Sequence, residues 1–413
     1  MIDLKAARND PDSYRSALAR KGASAIFDEL LTADEHWRGI QQQVDELRAS
    51  TKLKGKPTPE QLEEMKAIKG QQGPLEAEFA RLSERVQELL DRVPNPPAED
   101  TPDGDKEEDA VEVRKVGEPP SFSFEPKDHL ELSAPHGWID VERGAKVSGS
   151  RFVYRVGDVA LLETALYRWA LARIVAKGHV PVLPPVLVRE EAMYGTGFFP
   201  SEKGDFYSVP DDDLYLVGTS EVPLAAFHMG EELDEVPLRY VALSTCFRRE
   251  AGAAGRDTRG MFRVHQFDKV EMFVYCDPAA SREEHERLLD IEEELVQELG
   301  LPYRVLNIAA GDLGSSAAKK YDIEAWFPGQ SRYREITSTS NTTDFQARRL
   351  DIRFRRDGKL EHVHTLNGTA VTARAMIAIL ENFQHEDGSV SVPEPLVEFG
   401  APARLGADRV PAK

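Results

Sequence analysis

Phe247-Arg248-Arg249-Glu250, continuing through Ala251-Gly252-Ala253-Ala254-Gly255-Arg256-Asp257-Thr258-Arg259-Gly260 to Met261-Phe262-Arg263-Val264-His265-Gln266-Phe267, reads as strand, glycine-rich turn and strand. Thr245-Cys246-Phe247 leads in, the Gly/Ala block holds no regular element, and Val264 to Tyr275 is rich in strand formers. Arg248, Arg249, Arg256, Arg259 and Arg263 all lie on this hairpin, with Glu250 at its base. A guanidinium is always charged, and its planar fork of donors matches phosphate. The hairpin therefore points to a site for a polyphosphate or nucleic acid, the alternative being a solvated basic turn.

The rest of the chain sets bounds on that reading. Its 413 residues suffice for two or three domains and a large core. Acidic residues number 72 against 52 basic ones, so nucleic acid can bind only where positive charge is concentrated locally. Cys246 and Cys276 sit in strand-like surroundings and read as buried, reduced thiols. His362-Val363-His364 has no nearby cysteine or third histidine, so no zinc site is expected. The start, Met1-Ile2-Asp3-Leu4-Lys5, has no signal-peptide apolar run, and no stretch approaches the roughly 20 apolar residues of a membrane span, so a cytoplasmic protein is expected.

Residues 1–22 read as a short helix broken at Asp10-Pro11-Asp12. Beyond Ser24, Leu30, Ala33, Trp37, Ile40, Val44 and Leu47 fall at heptad spacing. Lys54-Gly55-Lys56-Pro57-Thr58-Pro59 stops the run, and a second one follows at Met65, Ile68, Gln72, Leu75, Phe79, Leu82, Val86, Leu89 and Val93. Two heptad helices joined by a short turn make an antiparallel coiled-coil hairpin, either a dimerisation element or a projecting arm. Gly70-Gln71-Gln72-Gly73-Pro74 lies inside the second helix and predicts a kink or local break. Residues 99–120, acidic and rich in Pro and Gly, read as a surface linker that does not pack.

From about residue 121 helices and strands mix. Asp158 to Lys177 reads as an amphipathic helix ended by Gly178, followed by Val180-Pro181-Val182-Leu183-Pro184-Pro185. Leu214 to Glu221 is a strand ending in Thr219-Ser220-Glu221, whose hydroxyls and carboxylate either cap the next helix or hold a ligand. Glu271 stands among apolar strand residues, where a carboxylate is costly to bury unpaired, which favours a ligand-binding role. Ser281 to Leu299 reads as a helix capped by Ser281. Glu335-Ile336-Thr337-Ser338 opens a stretch of hard oxygen donors suited to Mg²⁺ with a polyphosphate, or else a polar edge strand. Thr365 to Arg374 leads into a helix with small residues that admit a ligand to the backbone and an arginine at the helix start.

The hairpin, with Gly255-Arg256-Asp257-Thr258-Arg259-Gly260 and His265-Gln266-Phe267, resembles motif 2 of class II aminoacyl-tRNA synthetases, most closely the seryl-tRNA synthetases. The helix and strand ending near Pro185 resemble motif 1, and the stretch to Arg374 resembles motif 3, although its spacing from Asn367 is one residue shorter than in several relatives. The resemblance implies an α+β protein. An N-terminal antiparallel coiled-coil arm that binds tRNA (1–98) and the acidic linker (99–120) precede a class II catalytic domain, an antiparallel β-sheet flanked by helices (121–413). It implies an ATP-dependent serine–tRNA ligase that forms seryl-adenylate and charges tRNA(Ser), and tRNA(Sec), as a homodimer. By the same resemblance Thr219, Ser220, Glu221, Glu271 and Thr369 bind serine. Arg248, Arg249, Glu250, Val264, Phe267, Glu335, Ile336, Thr337, Ser338 and Arg374 bind ATP. Arg248 and Arg374 act at the reacting phosphates, and Glu335 and Ser338 hold Mg²⁺. Lys52, Lys54 and Lys56 near the arm's tip, with Arg256 and Arg259 on the hairpin, are expected to meet tRNA. A paralogue dedicated to a biosynthetic pathway or to inhibitor resistance would carry the same motifs.

Overall fold

The computed structural model describes residues 1–50, 58–251 and 260–406, with the backbone alone at 59–69 and 71. The chain divides into two compact units, Met1–Pro97 and Ala98–Lys413.

In the first unit, α1 (Leu4–Asn9) and α2 (Pro11–Ala19) meet at Asp10, which ends one helix and caps the next by accepting the Ser13 N–H at 3.2 Å. Pro11, at the first position of α2, needs no hydrogen-bond acceptor there. The long helices α3 (Ser24–Ser50) and α4 (Pro59–Arg92) pair along the heptad seam. Their contacts Glu29–Arg85, Trp37–Phe79 and Arg48–Glu76 run in opposite directions, so the pair is antiparallel. Trp37 stacks on Phe79 with ring centroids 5.7 Å apart, and its Nε1–H donates to Ser83 Oγ at 2.8 Å. Phe27, Leu30, Leu89 and Val93 close the base with Leu18. Of the kink or local break expected at Gly70–Pro74, the break does not occur: α4 runs through with Pro74 inside it. Proline leaves the carbonyl four residues back unpaired, and here that residue, Gly70, is exposed, so water can take the place of the missing donor.

The second unit is organised on an eight-stranded sheet. Its strands are β1 (Val111–Val116), β2 (Val180–Val182), β3 (Leu238–Phe247), β4 (Gln266–Cys276), β5 (Tyr303–Asn307), β6 (Lys319–Phe327), β7 (Arg332–Asn341) and β8 (His364–Thr372). They lie in the order β1-β5-β6-β7-β8-β4-β3-β2, antiparallel throughout except for the β2–β3 pair. Helices α5 (Asp158–Ala176), α7 (Ser281–Glu298) and α9 (Ala373–Asn382) cover one face, burying Leu166, Trp169, Leu288, Leu295, Met376 and Ile379 against Val270, Met272, Val274 and Ile323. The short helices α6 (Glu221–Ala225) and α8 (Phe345–Leu350) lie on the other side, packed with Phe273 and Tyr275. Side chains alternate along a strand, so β4 feeds apolar residues to both layers.

The stretch 99–120 is not a free linker. Val111–Val116 joins the sheet edge as β1, Thr101 is buried with its hydroxyl donating to the Ala318 carbonyl at 3.1 Å, and Asp100 pairs with Lys319 at 2.7 Å and Arg282 at 2.8 Å. Most side chains of β1 are exposed, so composition alone reads as solvated, while its backbone ladder to β5 and the Arg114–Glu293 ion pair do the holding. Ser281 opens α7 as its first residue and does not cap it; Asp277 caps the preceding turn through the Ala279 N–H at 2.8 Å.

Leu30 is fully buried at the base of the arm, so Leu30→Ala is expected to destabilise the first unit by about 3 kcal/mol, read as an earlier urea midpoint in the helical circular-dichroism signal.

Candidate active site

On the face of the sheet opposite α5, α7 and α9 lies a cleft of about 420 Å³ floored by β4, β6, β7 and β8. β4 contributes Phe267, Lys269 and Glu271 at a strict period of two. β7 and β8 each carry an extra residue in the ladder. Thr337 pairs with Ile323 and Glu335 with Glu324, leaving Ile336 over, and Thr369 pairs with Glu271 and Val371 with Val270, leaving Ala370 over. Each bulge turns residues three apart onto one face, bringing Glu335 beside Ser338 and Thr369 beside Thr372 in the cleft.

The hairpin base forms one wall. Arg248 lies with its guanidinium 5.3 Å from the Phe267 ring centroid, and its Nε–H donates to the Gly218 carbonyl at 3.0 Å. Glu250, at φ 51°, pairs with Arg263. At the far side of the hairpin the Met261 N–H donates to His129 Nε2 at 3.3 Å, while His129 Nδ1 donates to the buried Glu381 at 3.0 Å. Gly260, at φ 85°, permits this approach, since a Cβ there would lie 2.4 Å from His129 Nε2.

The floor is strongly charged. Arg374, on the first turn of α9, meets the Glu335 carboxylate at 3.0 Å and its carbonyl at 3.1 Å, and its guanidinium lies 4.6 Å from the Phe262 ring centroid. Desolvation works against the Glu335 charge, but Arg374 and Lys320 more than offset it and hold the carboxyl well below the usual range. Lys269, buried, pairs with Glu271 and donates to Thr219 Oγ1 at 2.7 Å. Glu221 accepts from Gln346 Nε2 at 2.7 Å, yet burial first, and the Glu271 charge next, push its pKa up to about 7. Beneath the sheet the fully buried Glu292 presses against Gly368. Neither of its oxygens has a hydrogen-bond partner, and burial holds its carboxyl well above the ordinary range.

Thirteen of the residues singled out from sequence line this cleft: Thr219, Glu221, Arg248, Glu250, Val264, Phe267, Glu271, Glu335, Ile336, Thr337, Ser338, Thr369 and Arg374. Ser220 and Arg249 do not. Ser220 is fully buried with its hydroxyl unpartnered, and Arg249 lies outward, its guanidinium 5.9 Å from the Tyr207 ring centroid. Lys52, Lys54, Lys56, Arg256 and Arg259 fall outside the described residues. Sequence reasoning gave no site role to Glu202, Phe262, Lys269, Lys320 and Asn367, all of which line the cleft, and named Arg263, which also lines it, only among the hairpin arginines. Period-two alternation from Glu271 would have found Lys269; Lys320 follows only from its pairing with Ser340.

An antiparallel sheet backed by helices, with arginines from a hairpin and from a helix start facing carboxylates across one cleft, is the architecture of a class II aminoacyl-tRNA synthetase. The family model described as the tRNA synthetase class II core domain (G, H, P, S and T) matches residues 206–383, and the model for the seryl-tRNA synthetase N-terminal domain matches residues 1–97. The serine–tRNA ligase of Thermobifida fusca is 51% identical over 411 residues, covering 97% of each chain. A crystal structure of seryl-tRNA synthetase from Pyrococcus horikoshii complexed with ATP superposes with a TM-score of 0.93 at 42% identity, covering 100% of each chain. That of the cytoplasmic serine–tRNA ligase from Naegleria fowleri in complex with AMP gives 0.86 at 32% identity, covering 96% of this chain and 95% of that one. The chain belongs to the seryl-tRNA synthetase family, the ATP-dependent serine–tRNA ligases.

A Cβ on Gly368 would lie 2.7 Å from Glu292 Oε1 and 3.2 Å from Met272 Cε, between the cleft residues Asn367 and Thr369. Gly368→Ala is therefore expected to lower kcat/KM for serine in ATP–pyrophosphate exchange by about tenfold or more, with part of the loss recovered in Gly368→Ala/Glu292→Ala, where the clash is relieved.

Proposed function

We propose that this cleft binds ATP and L-serine side by side, forms seryl-adenylate, and passes the seryl group to the 3′ end of tRNA(Ser) and of tRNA(Sec). The observation that carries this reading is the opposition, within one cleft, of Arg248 and Arg374 to the carboxylates Glu221 and Glu271. A polyphosphate needs the first pair, and the ammonium and hydroxyl of serine need the second. In this reading a serine carboxylate oxygen attacks the α-phosphorus, a new O–P bond forms, and the bond to the bridging oxygen breaks as pyrophosphate leaves. Positioning and charge neutralisation suffice for such a step, without a protein base.

Arg248 takes the α-phosphate and the serine carboxylate, and Arg374 the γ-phosphate. Glu250 accepts from the adenine amino group, Phe267 stacks on the ring, and Val264 lies beside it. Thr219 and Glu221 hold the serine ammonium, Glu271 accepts from its hydroxyl, and Thr369 borders it. Arg249, outside the cleft lining, takes no part. Glu335 and Ser338 would hold Mg²⁺, which would supply positive charge to offset that of the phosphates. A carboxylate kept ionised and a hydroxyl on the same face, leaving other positions to water and phosphate, suit an ion that dehydrates reluctantly. The arm is read as a holder of tRNA, and the enzyme as cytoplasmic; no helix among the described residues is long and apolar enough to cross a membrane. A homodimer is supported by apolar side chains left in solvent on and beside α5 and β2, with Leu161, Val175, Val180 and Leu183 the plainest, Leu183 at 82% exposure. A paralogue dedicated to another pathway is not favoured, given the likeness along nearly the whole chain to proteins named serine–tRNA ligase.

Serine-dependent ATP–pyrophosphate exchange is the test of activation: exchange with another amino acid and none with serine would overturn it. Replacing residues 38–82 by a short glycine linker keeps the base cluster of the arm and is expected to leave exchange largely intact while abolishing tRNA charging. Normal charging by that variant would remove the arm from tRNA binding.

A further inference from the structure

Lys269 has no role in the reaction as read so far, yet it occupies the middle of the serine subsite. It is 5% exposed, donates to Thr219 Oγ1 at 2.7 Å and forms an ion pair with Glu271. Thr219 Oγ1 in turn donates to Glu271 at 3.2 Å and accepts the Glu221 N–H at 3.1 Å. Both the lysine and the threonine contact fall on Glu271 Oε2, which leaves Oε1 to receive a ligand's hydroxyl. One buried ammonium thus stands among two buried carboxylates and a hydroxyl that bonds the carboxylate of Glu271 and the backbone N–H of Glu221. Without Lys269 the subsite would hold two negative charges in a water-poor space, and one carboxyl would take up a proton. With it the net charge is a single negative unit, matched by one substrate ammonium.

We propose that Lys269 is a specificity-determining residue of the serine subsite, its ammonium fixing Glu271 by one oxygen and offsetting the Glu221–Glu271 pair so that the subsite takes an amino acid with one ammonium and one small hydroxyl. The proposal rests on the serine reading of the cleft given above. Glu221 is the group whose ionisation reports it. Glu221 faces Glu271 and Lys269 on β4, Gln346 on α8 and Asn367 on β8, with Glu202 and Arg248 on other walls of the same cleft. Burial and the Glu271 charge raise the Glu221 pKa to about 7, and Lys269 lowers it against them. Below that pH the carboxyl is protonated and loses its charge for the ammonium, so the serine KM should climb as pH falls through about 7. Removing Lys269 should move that acid limb to higher pH.

The test is serine-dependent ATP–pyrophosphate exchange by the full chain across pH, with Lys269→Met, Lys269→Arg and the charge-balanced Lys269→Met/Glu271→Gln. In Lys269→Met the serine KM at neutral pH is expected to rise about tenfold or more, the acid limb to move up by about one pH unit, and the preference for serine over alanine to fall, while the ATP KM stays within about twofold. Lys269→Arg should keep the limb near its wild-type position. Should Lys269→Met fail to fold, the double variant decides: a limb near the wild-type position supports the proposal and a displaced one overturns it. A folded Lys269→Met with an unmoved limb, or with serine and ATP KM raised equally, also overturns it, showing a lysine that only props the fold. Failure of the underlying reading looks different, because the wild-type protein would then show no serine-dependent exchange.

Discussion

In a regular strand, residues i and i+3 point to opposite faces, so a carboxylate and a hydroxyl at that spacing cannot reach one ligand. The cleft depends on breaking this rule twice. Ile336 in β7 and Ala370 in β8 are extra residues that the neighbouring strands do not match, and each turns its strand by one face. Glu335 thereby joins Ser338, and Thr369 joins Thr372, while Ala370 goes to the apolar side. Regular ladders would have sent Glu335 into the hydrophobic layer, where an unpaired carboxylate is costly.

The two faces of the sheet then carry unlike burdens. One is dry and packed under three helices. The other gathers Arg248, Lys269, Lys320 and Arg374 with Glu221, Glu250, Glu271 and Glu335. Buried charges persist where each has a partner, and here the partners are close: Arg374 with Glu335, Lys269 with Glu271, Arg263 with Glu250. Glu292 is the exception, a carboxyl without a partner wedged against Gly368 under the floor. Its neutral form is the one burial favours, and it sits where a glycine alone leaves room.

The hairpin that carries so many arginines is held at its roots. At one end the Arg248 N–H donates to the His265 carbonyl and His265 Nδ1 bonds the Arg248 carbonyl, and Met261 is tied through His129 to Glu381 on α9 at the other. The same helix presents Arg374 at its start, so the hairpin root and the second arginine share one rigid support.

The heptad seam of the arm, the shared cap at Asp10-Pro11 and the stretches that line the cleft were legible in the sequence because each depends on residues close together in the chain. Resemblance to the family motifs singled out thirteen of the residues that line the cleft, from Thr219 to Arg374. Ser220 and Arg249 do not line it, because neighbours in a motif need not face the same way. The tertiary structure alone decided which strand edge residues 111–116 would occupy, since Val111 and Val113 stay exposed and the strand is placed by its backbone ladder to β5 and by the ion pair of Arg114 with Glu293, far away in sequence. It also decided the two bulges, the seat of Lys320 opposite Ser340, and the pressure of Glu292 on Gly368. All of these follow from register between strands and helices far apart in sequence, and register is fixed by packing of the whole sheet, which no single stretch of chain contains.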